Sequence, residues 1–160
     1  MQSFTNAFYH LLSNPDYIEP LRHDVETAVA EEGWTKAGLD KMLKIDSFIR
    51  ESHRISGAGL CTLDTLFEPQ LLMHDNLFPV GMARLPLRPF TFSNGITVPA
   101  HTVIAAPATA IHTDEEIYPN PDEFDGFRFA RLREHDGVTG QQITSTSADY
   151  LIFGYGRHAW

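Results

Sequence analysis

Phe153-Gly154-Tyr155-Gly156-Arg157-His158-Ala159-Trp160 sets two glycines one residue apart in front of two adjacent basic side chains. Glycine has no Cβ, so the chain can turn at 154 and 156 through backbone conformations that other residues avoid. Arg157 and His158 then place basic groups beside the turn, and the planar fork of an arginine suits a carboxylate. Alone, the stretch is compatible with an ordinary glycine-rich surface turn. Two segments upstream change its meaning.

The nearer one is Phe124-Asp125-Gly126-Phe127-Arg128-Phe129. Phenylalanines alternate here with polar or small residues, so packing of the segment would draw Arg128 inward. From Tyr118 to Phe129 the repeated Pro and Asp residues predict an ordered but irregular meander, and the Gly, Gln, Ser and Thr of 133–149 predict a surface loop. The farther segment is Arg50-Glu51-Ser52-His53-Arg54. Glu51 and Arg54 stand three apart near the end of a predicted helix, so their side chains emerge as neighbours, an arrangement worth only ~0.2–0.5 kcal/mol on an exposed face.

Three helices in series are expected to open the chain, the third carrying Glu51 and Arg54. Phe4, Ala7, Phe8, Leu11 and Leu12 share one helical face. Asn14-Pro15 is a start signal for a second helix, with the stripe Leu21, Val25, Ala28 and Val29 running to a stop at Gly33 and Pro20 able to bend its first turns. Thr35 can cap a third, unbroken helix carrying Leu39, Met42, Leu43, Ile45, Phe48 and Ile49 and ending before Gly57. The period then changes. Pro89 to Val98 reads as a β-hairpin, with Asn94-Gly95 suited to a tight type I′ turn, and Val103 to Ala106 reads as a short strand.

Composition excludes several partners. Twelve Lys and Arg against 21 Asp and Glu give a formal charge of −9, which repels the backbone of a nucleic acid. No apolar run approaches the roughly 18 residues of a membrane span and no basic stretch leads into an apolar run. Cys61, the single cysteine, cannot form an intrachain disulfide. Its surroundings, Leu60-Cys61-Thr62-Leu63, read as a packed apolar residue rather than a ligand loop. None of the eight histidines is three to five residues from another, so there is no local zinc pair.

Taken in order, Glu-x-x-Arg at 51–54, Phe-x-x-x-Arg-Phe at 124–129 and Phe-x-x-Gly-x-(Arg or His)-x at 153–159 resemble the landmarks of the cytochrome P450 monooxygenases. The resemblance implies a mainly α fold with a small β-sheet: a partial P450 domain over 1–160 with the end of helix I, helices J and K, a hairpin, the meander and the start of the haem-ligand loop. It covers the C-terminal third or so of the family's fold, and the oxygen-handling Ala-Gly-x-x-Thr segment is expected upstream of Met1, so Thr5 is not given that role. Residues 61–79 form an atypical insertion within this plan, attributed to an exon boundary.

What the resemblance implies about residues follows the motifs. Glu51, Arg54 and Arg128 correspond to a buried structural cluster, with Gly126-Phe127 replacing the family's common Pro-Glu. Phe153, Gly156, Arg157 and His158 belong to the loop that wraps the haem, and Arg84 is the strand residue placed to meet a haem propionate. His112 is expected to pack. The family's ligand cysteine is Trp160 here, and an indole nitrogen donates a hydrogen bond but has no lone pair for a metal. No catalytic and no metal-binding residue is therefore assigned, and stable haem binding by this chain is not expected.

The local style resembles fungal secondary-metabolism enzymes similar to ent-kaurene oxidase. For the parent family this implies haem as cofactor, a small hydrophobic substrate such as a terpenoid, a reductase using NADPH as redox partner, and the cytosolic face of the endoplasmic-reticulum membrane. The other reading from sequence is a non-catalytic degenerate or interaction polypeptide that binds no haem.

Overall fold

The computed structural model describes residues 2–56, 82–136 and 142–159. Among these, four helices come first: α1 (Gln2–Ser13), α2 (Ile18–Glu32), α3 (Lys36–Lys41) and α4 (Leu43–Ser56). Strands β1 (Met82–Arg84), β2 (Phe90–Thr91), β3 (Thr97–Val98) and β4 (Ile104–Ala106) follow, then α5 (Ala108–His112) and α6 (Arg128–Asp136). The class is mainly α with a minor antiparallel β component. β1 pairs with β4 and β2 with β3.

The helix starts follow local chemistry, with one difference from expectation. Asn14 does not cap the next helix through its side chain; its amide donates instead to the carbonyl of His10 at 2.9 Å. Residues Pro15–Tyr17 make a 3-10 turn that leads into α2. Pro20 thereby falls in the first turn of α2, where its missing N–H is no loss. Gly33 ends α2 with φ +66°, and the hydroxyl of Thr35 caps α3 by accepting from the Gly38 N–H at 3.2 Å.

The expected third helix is broken. Met42, with φ −77° and ψ 67°, separates α3 from α4 and buries its side chain. The new N-terminus is satisfied from another helix: the Asp24 carboxylate on α2 accepts from the N–H groups of Lys44 at 2.9 Å and Ile45 at 3.2 Å. The apolar period of 39–49 is continuous across the break, so periodicity could not reveal it.

α4 lies at the centre. Ser47, Phe48, Arg50, Glu51, Ser52, His53 and Arg54 are all buried, which leaves it covered around most of its circumference. On one side Phe48 meets Ala7 and Leu21, with Leu11, Tyr17, Ile45, Phe124 and Phe127 packed around them. On another side Tyr118, Phe129 and Tyr150 form a second cluster, with Ile152 against it. Gly126 sits where a Cβ would lie 2.6 Å from the Phe48 ring and 3.0 Å from that of Tyr17. That close approach accounts for glycine at the position where the related pattern has a bulkier residue.

Two further expectations change. The hairpin closes through a three-residue loop, because Phe92 N–H bonds to the Ile96 carbonyl at 2.8 Å and Gly95 N–H to the Phe92 carbonyl at 2.9 Å. Gly95 alone takes the positive angle, φ +87°, and Asn94 uses its side chain to accept from the Ile96 N–H at 3.1 Å. This is the tight-turn-plus-bulge solution rather than a type I′ turn. In addition, helix α6 begins at Arg128, inside the expected meander, and runs to Asp136, into the first residues of the expected 133–149 loop. The α6 amides of Phe129 and Ala130 donate to the Ser47 hydroxyl at 3.1 and 3.0 Å, a cap supplied by α4. Residues 61–79 lie outside the described residues.

Since the α4 terminus is satisfied through Asp24, Asp24→Ala should lower stability by about 1 kcal/mol, while Asp24→Asn should retain most of it. Urea unfolding followed by circular dichroism checks both; equal midpoints for Asp24→Ala and the unaltered chain would refute the assignment.

Candidate functional site

α4 and the chain around it hold three charged side chains away from water. Glu51 and the Arg54 side chain are fully buried, and that of Arg128 is 10% exposed. Helix geometry brings Arg54 back over Glu51, one turn before it, and the two form a two-point pair, Nε to Oε2 at 2.8 Å and Nη2 to Oε1 at 2.8 Å. Arg128 enters from the start of α6, its Nε donating to Oε1 at 3.1 Å, and the Asp125 N–H also donates to Oε1 at 3.2 Å.

Two guanidiniums on one carboxylate leave a positive excess. Backbone carbonyls take it up. Arg54 donates to the carbonyls of His112 at 2.5 Å and Pro121 at 2.7 Å. Arg128 donates to those of Pro119 at 2.6 Å and of Asn120 and Glu123 at 3.2 Å each. Asn120 has φ +51°, a left-handed conformation that asparagine tolerates better than most residues. The irregular course of 113–127 is thus the shape of a chain folded around two cations, and the Arg54 guanidinium also lies 5.0 Å from the centre of the Tyr118 ring.

Sequence reasoning missed a second group on α4. The Arg50 guanidinium lies 3.8 Å from the centre of the Tyr150 ring and 4.6 Å from that of Phe129. It donates to the carbonyl of Gln142 and, at 3.3 Å, to that of Ser145. Asp46 accepts from the Ile143 N–H and pairs with Arg133. Residues 142–150, most of which fall in the expected 133–149 surface loop, are consequently pinned to α4 and α6. Burial lowers the Arg50 pKa from its ordinary value. The only sequence signal was the adjacency of Arg50 to Glu51, which does not distinguish a buried arginine from a solvated one.

His112 also does more than pack. It is buried, and its Nε2 accepts from the N–H of Leu151 at 3.1 Å, so the proton of the neutral ring belongs on Nδ1. Burial, and after it the charges of Arg54 and Arg50, push its pKa down to about 4. Tyr118 donates its hydroxyl to the Asp149 carbonyl at 2.6 Å, and burial pushes its own pKa up to about 12.

The loop of 151–159 begins on this frame. Leu151 is buried and Gly154 and Gly156 have φ +81° and +74°. The Phe153 ring stands edge-on to that of His53, 5.9 Å between centres. Both ring nitrogens of His53 are buried without a hydrogen-bond partner among the described residues, and burial lowers its pKa. Gly156–His158 form a 3-10 turn. Arg157 there and Arg84 on β1 are exposed, while the side chain of His158 and all of Trp160 lie outside the described part. The structure thus brings Glu51, Arg54 and Arg128 into one cluster and ties Phe153 to α4. It places Arg84 and Arg157 at the surface.

The family model for cytochrome P450 matches residues 74–159, just over half of the chain. Cytochrome P450 monooxygenase 151 of Postia placenta is 39% identical over 158 residues, 98% of this chain and 28% of that protein. Cytochrome P450 monooxygenase janQ of Penicillium janthinellum is 39% identical over 159 residues, again 98% and 28%. Cytochrome P450 monooxygenase ltmQ of Epichloe festucae var. lolii is 38% identical over 161 residues, 99% and 26%. The chain belongs to the cytochrome P450 family. It spans little more than a quarter of the length of these curated relatives.

Haem is the group that this family implies, and position 160, where the loop motif would set its ligand, offers no thiolate. The residue after Arg157-His158-Ala159 is Trp160, whose indole has no lone pair to offer iron. Arg84 and Arg157, the two arginines matched to propionate positions, are exposed.

Removing Glu51 should be the most damaging single change. Glu51→Ala leaves two enclosed guanidiniums without an anion and should cost about 3–5 kcal/mol, read as a lowered urea midpoint; a loss below about 1 kcal/mol, the worth of an exposed pair, would contradict the buried geometry.

His112 predicts a pH dependence of definite sign. Its folded pKa of about 4 lies below the ordinary 6.5, so the unfolded chain takes up the proton first. Its contribution is complete above pH 6.5 and is lost as pH falls toward 4, by about 3 kcal/mol in all. His112→Gln keeps an acceptor without titrating, so the stability difference between variant and unaltered chain should change across that window; a difference independent of pH would refute the role.

Proposed function

We propose that this chain is the C-terminal portion of a haem-dependent monooxygenase whose parent enzyme inserts one oxygen atom from O2 into a small hydrophobic substrate. The observation that carries the reading is the buried Glu51-Arg54-Arg128 cluster: three motif residues far apart in sequence converge in a chain whose family is established. Nothing in a surface-exposed arrangement would require two arginines and five carbonyls around one carboxylate. The fungal relatives and the local sequence style support a terpenoid or another secondary metabolite as substrate class, with a reductase using NADPH as electron donor and association of the parent with the endoplasmic-reticulum membrane. Among the described residues no helix is long and apolar enough to cross a membrane.

The chain itself we assign no catalytic residue. Arg84, Phe153, Gly156, Arg157 and His158 are the positions that match the family's cofactor loop and strand, and Glu51, Arg54 and Arg128 hold the frame beneath that loop. Trp160 favours the second reading, a non-catalytic polypeptide that preserves the packing cluster and binds no haem. Residues 61–79 we interpret as an insertion at an exon boundary, testable by sequencing the full transcript through the codons for 60–80 and 157–160.

Iron ligation separates the readings. The chain expressed with haemin should give no thiolate-type Soret band in the reduced carbon monoxide spectrum. Appearance of that band would overturn the non-catalytic assignment and show that a sulfur reaches the iron despite Trp160.

A further inference from the structure

We infer that Arg50 is a positioning residue for the 151–159 loop, acting as a lock separate from the Glu51-Arg54-Arg128 cluster; the functional importance of that loop rests on the reading just given, the lock itself does not.

The geometry is that of a clamp rather than an ion pair. Arg50 is 2% exposed, and none of the ion pairs among the described residues includes it. Its guanidinium is held by the faces of Tyr150 and Phe129 and by the carbonyls of Gln142 and Ser145. In return the Tyr150 hydroxyl donates to the Arg50 backbone carbonyl at 3.2 Å. Tyr150 is the residue immediately before Leu151, it is completely buried, and Ser147 and Tyr150 are bridged by two backbone hydrogen bonds. Whatever fixes Tyr150 therefore fixes the take-off point of the loop.

The two locks grip different chain. Arg54 and Arg128 hold carbonyls between His112 and Glu123, whereas Arg50 holds carbonyls between Gln142 and Ser145. Both project from α4, Arg50 and Arg54 one turn apart, and they also adjoin where Phe129 follows Arg128 and where Tyr118, stacked on Arg54, donates to the Asp149 carbonyl. A buried cation with no carboxylate depends on flat, weakly hydrated contacts, which a guanidinium provides and an ammonium does not. Lysine should accordingly fail at position 50 although it keeps the charge. Tyr150 should tolerate phenylalanine far better than leucine, since the ring face rather than the hydroxyl holds the cation.

Hydrogen exchange of the full chain, read peptide by peptide, tests this without reference to haem. Arg50→Lys should speed exchange in 142–156 by roughly tenfold or more, with α1 and α2 unchanged. Tyr150→Leu should reproduce the pattern, Tyr150→Phe should restore most of the protection, and Arg50→Lys combined with Tyr150→Leu should add little to either alone. Protection of 142–156 unchanged in Arg50→Lys, loss spread evenly over all peptides, or additive effects in the double variant would each overturn the proposal. Failure of the monooxygenase reading would appear in the carbon monoxide spectrum and leave these exchange results intact.

Discussion

The carboxylate of Glu51 is the constraint on which the rest depends. It is wholly removed from water, and an unpaired charge in that position would be prohibitively costly, so its four hydrogen bonds must all be present at once. Two come from its own helix turn through Arg54, and the other two require Arg128 and the backbone of Asp125. A long irregular segment with few regular hydrogen bonds is thereby given a single path, because its carbonyls are the groups that complete the two guanidiniums.

α4 is accordingly less a surface helix than an axle. Its apolar side meets α1 and α2 through Phe48, and its polar sides reach in sequence to three parts of the chain: Ser47 to the start of α6, Arg50 to 142–150, and Arg54 to the meander. Each of these contacts satisfies backbone groups that have no partner in a helix or sheet of their own. The C-terminal loop starts from the product of all three, since Leu151 donates to His112, Tyr150 stacks on Arg50 and Phe153 lies against His53. Protonating His112 would remove the acceptor of Leu151 and set a third cation beside Arg54 and Arg50, so acid should loosen the loop and the cluster together.

The same organisation leaves apolar surface uncovered. Phe4, Phe8, Tyr9 and Leu12 on α1 are exposed, although the stripe of that helix is as regular as any in the chain. Ala7 is buried and Leu11 packs beside it, so α1 is engaged on only part of its apolar face. Patches of this kind favour aggregation of the isolated polypeptide.

The helices α1 and α2, the Thr35 cap, the hairpin and the identity of Glu51, Arg54 and Arg128 were legible in the order of residues, because period, capping chemistry and turn preference are local properties. The break at Met42, the helical start at Arg128, the bulged form of the Asn94-Gly95 turn and the roles of Arg50, Ser47 and His112 were not. In the first case Asp24 on another helix satisfies the new terminus, in the second Ser47 does so for α6, and Arg50 becomes a clamp only when Tyr150, a hundred residues away in sequence, is folded against it. Sequence by itself determined which groups are charged, which stretches are periodic, and that position 160 carries no sulfur. Tertiary structure alone decided which charges leave water, since burial is a property of neighbours that the chain brings together from a distance.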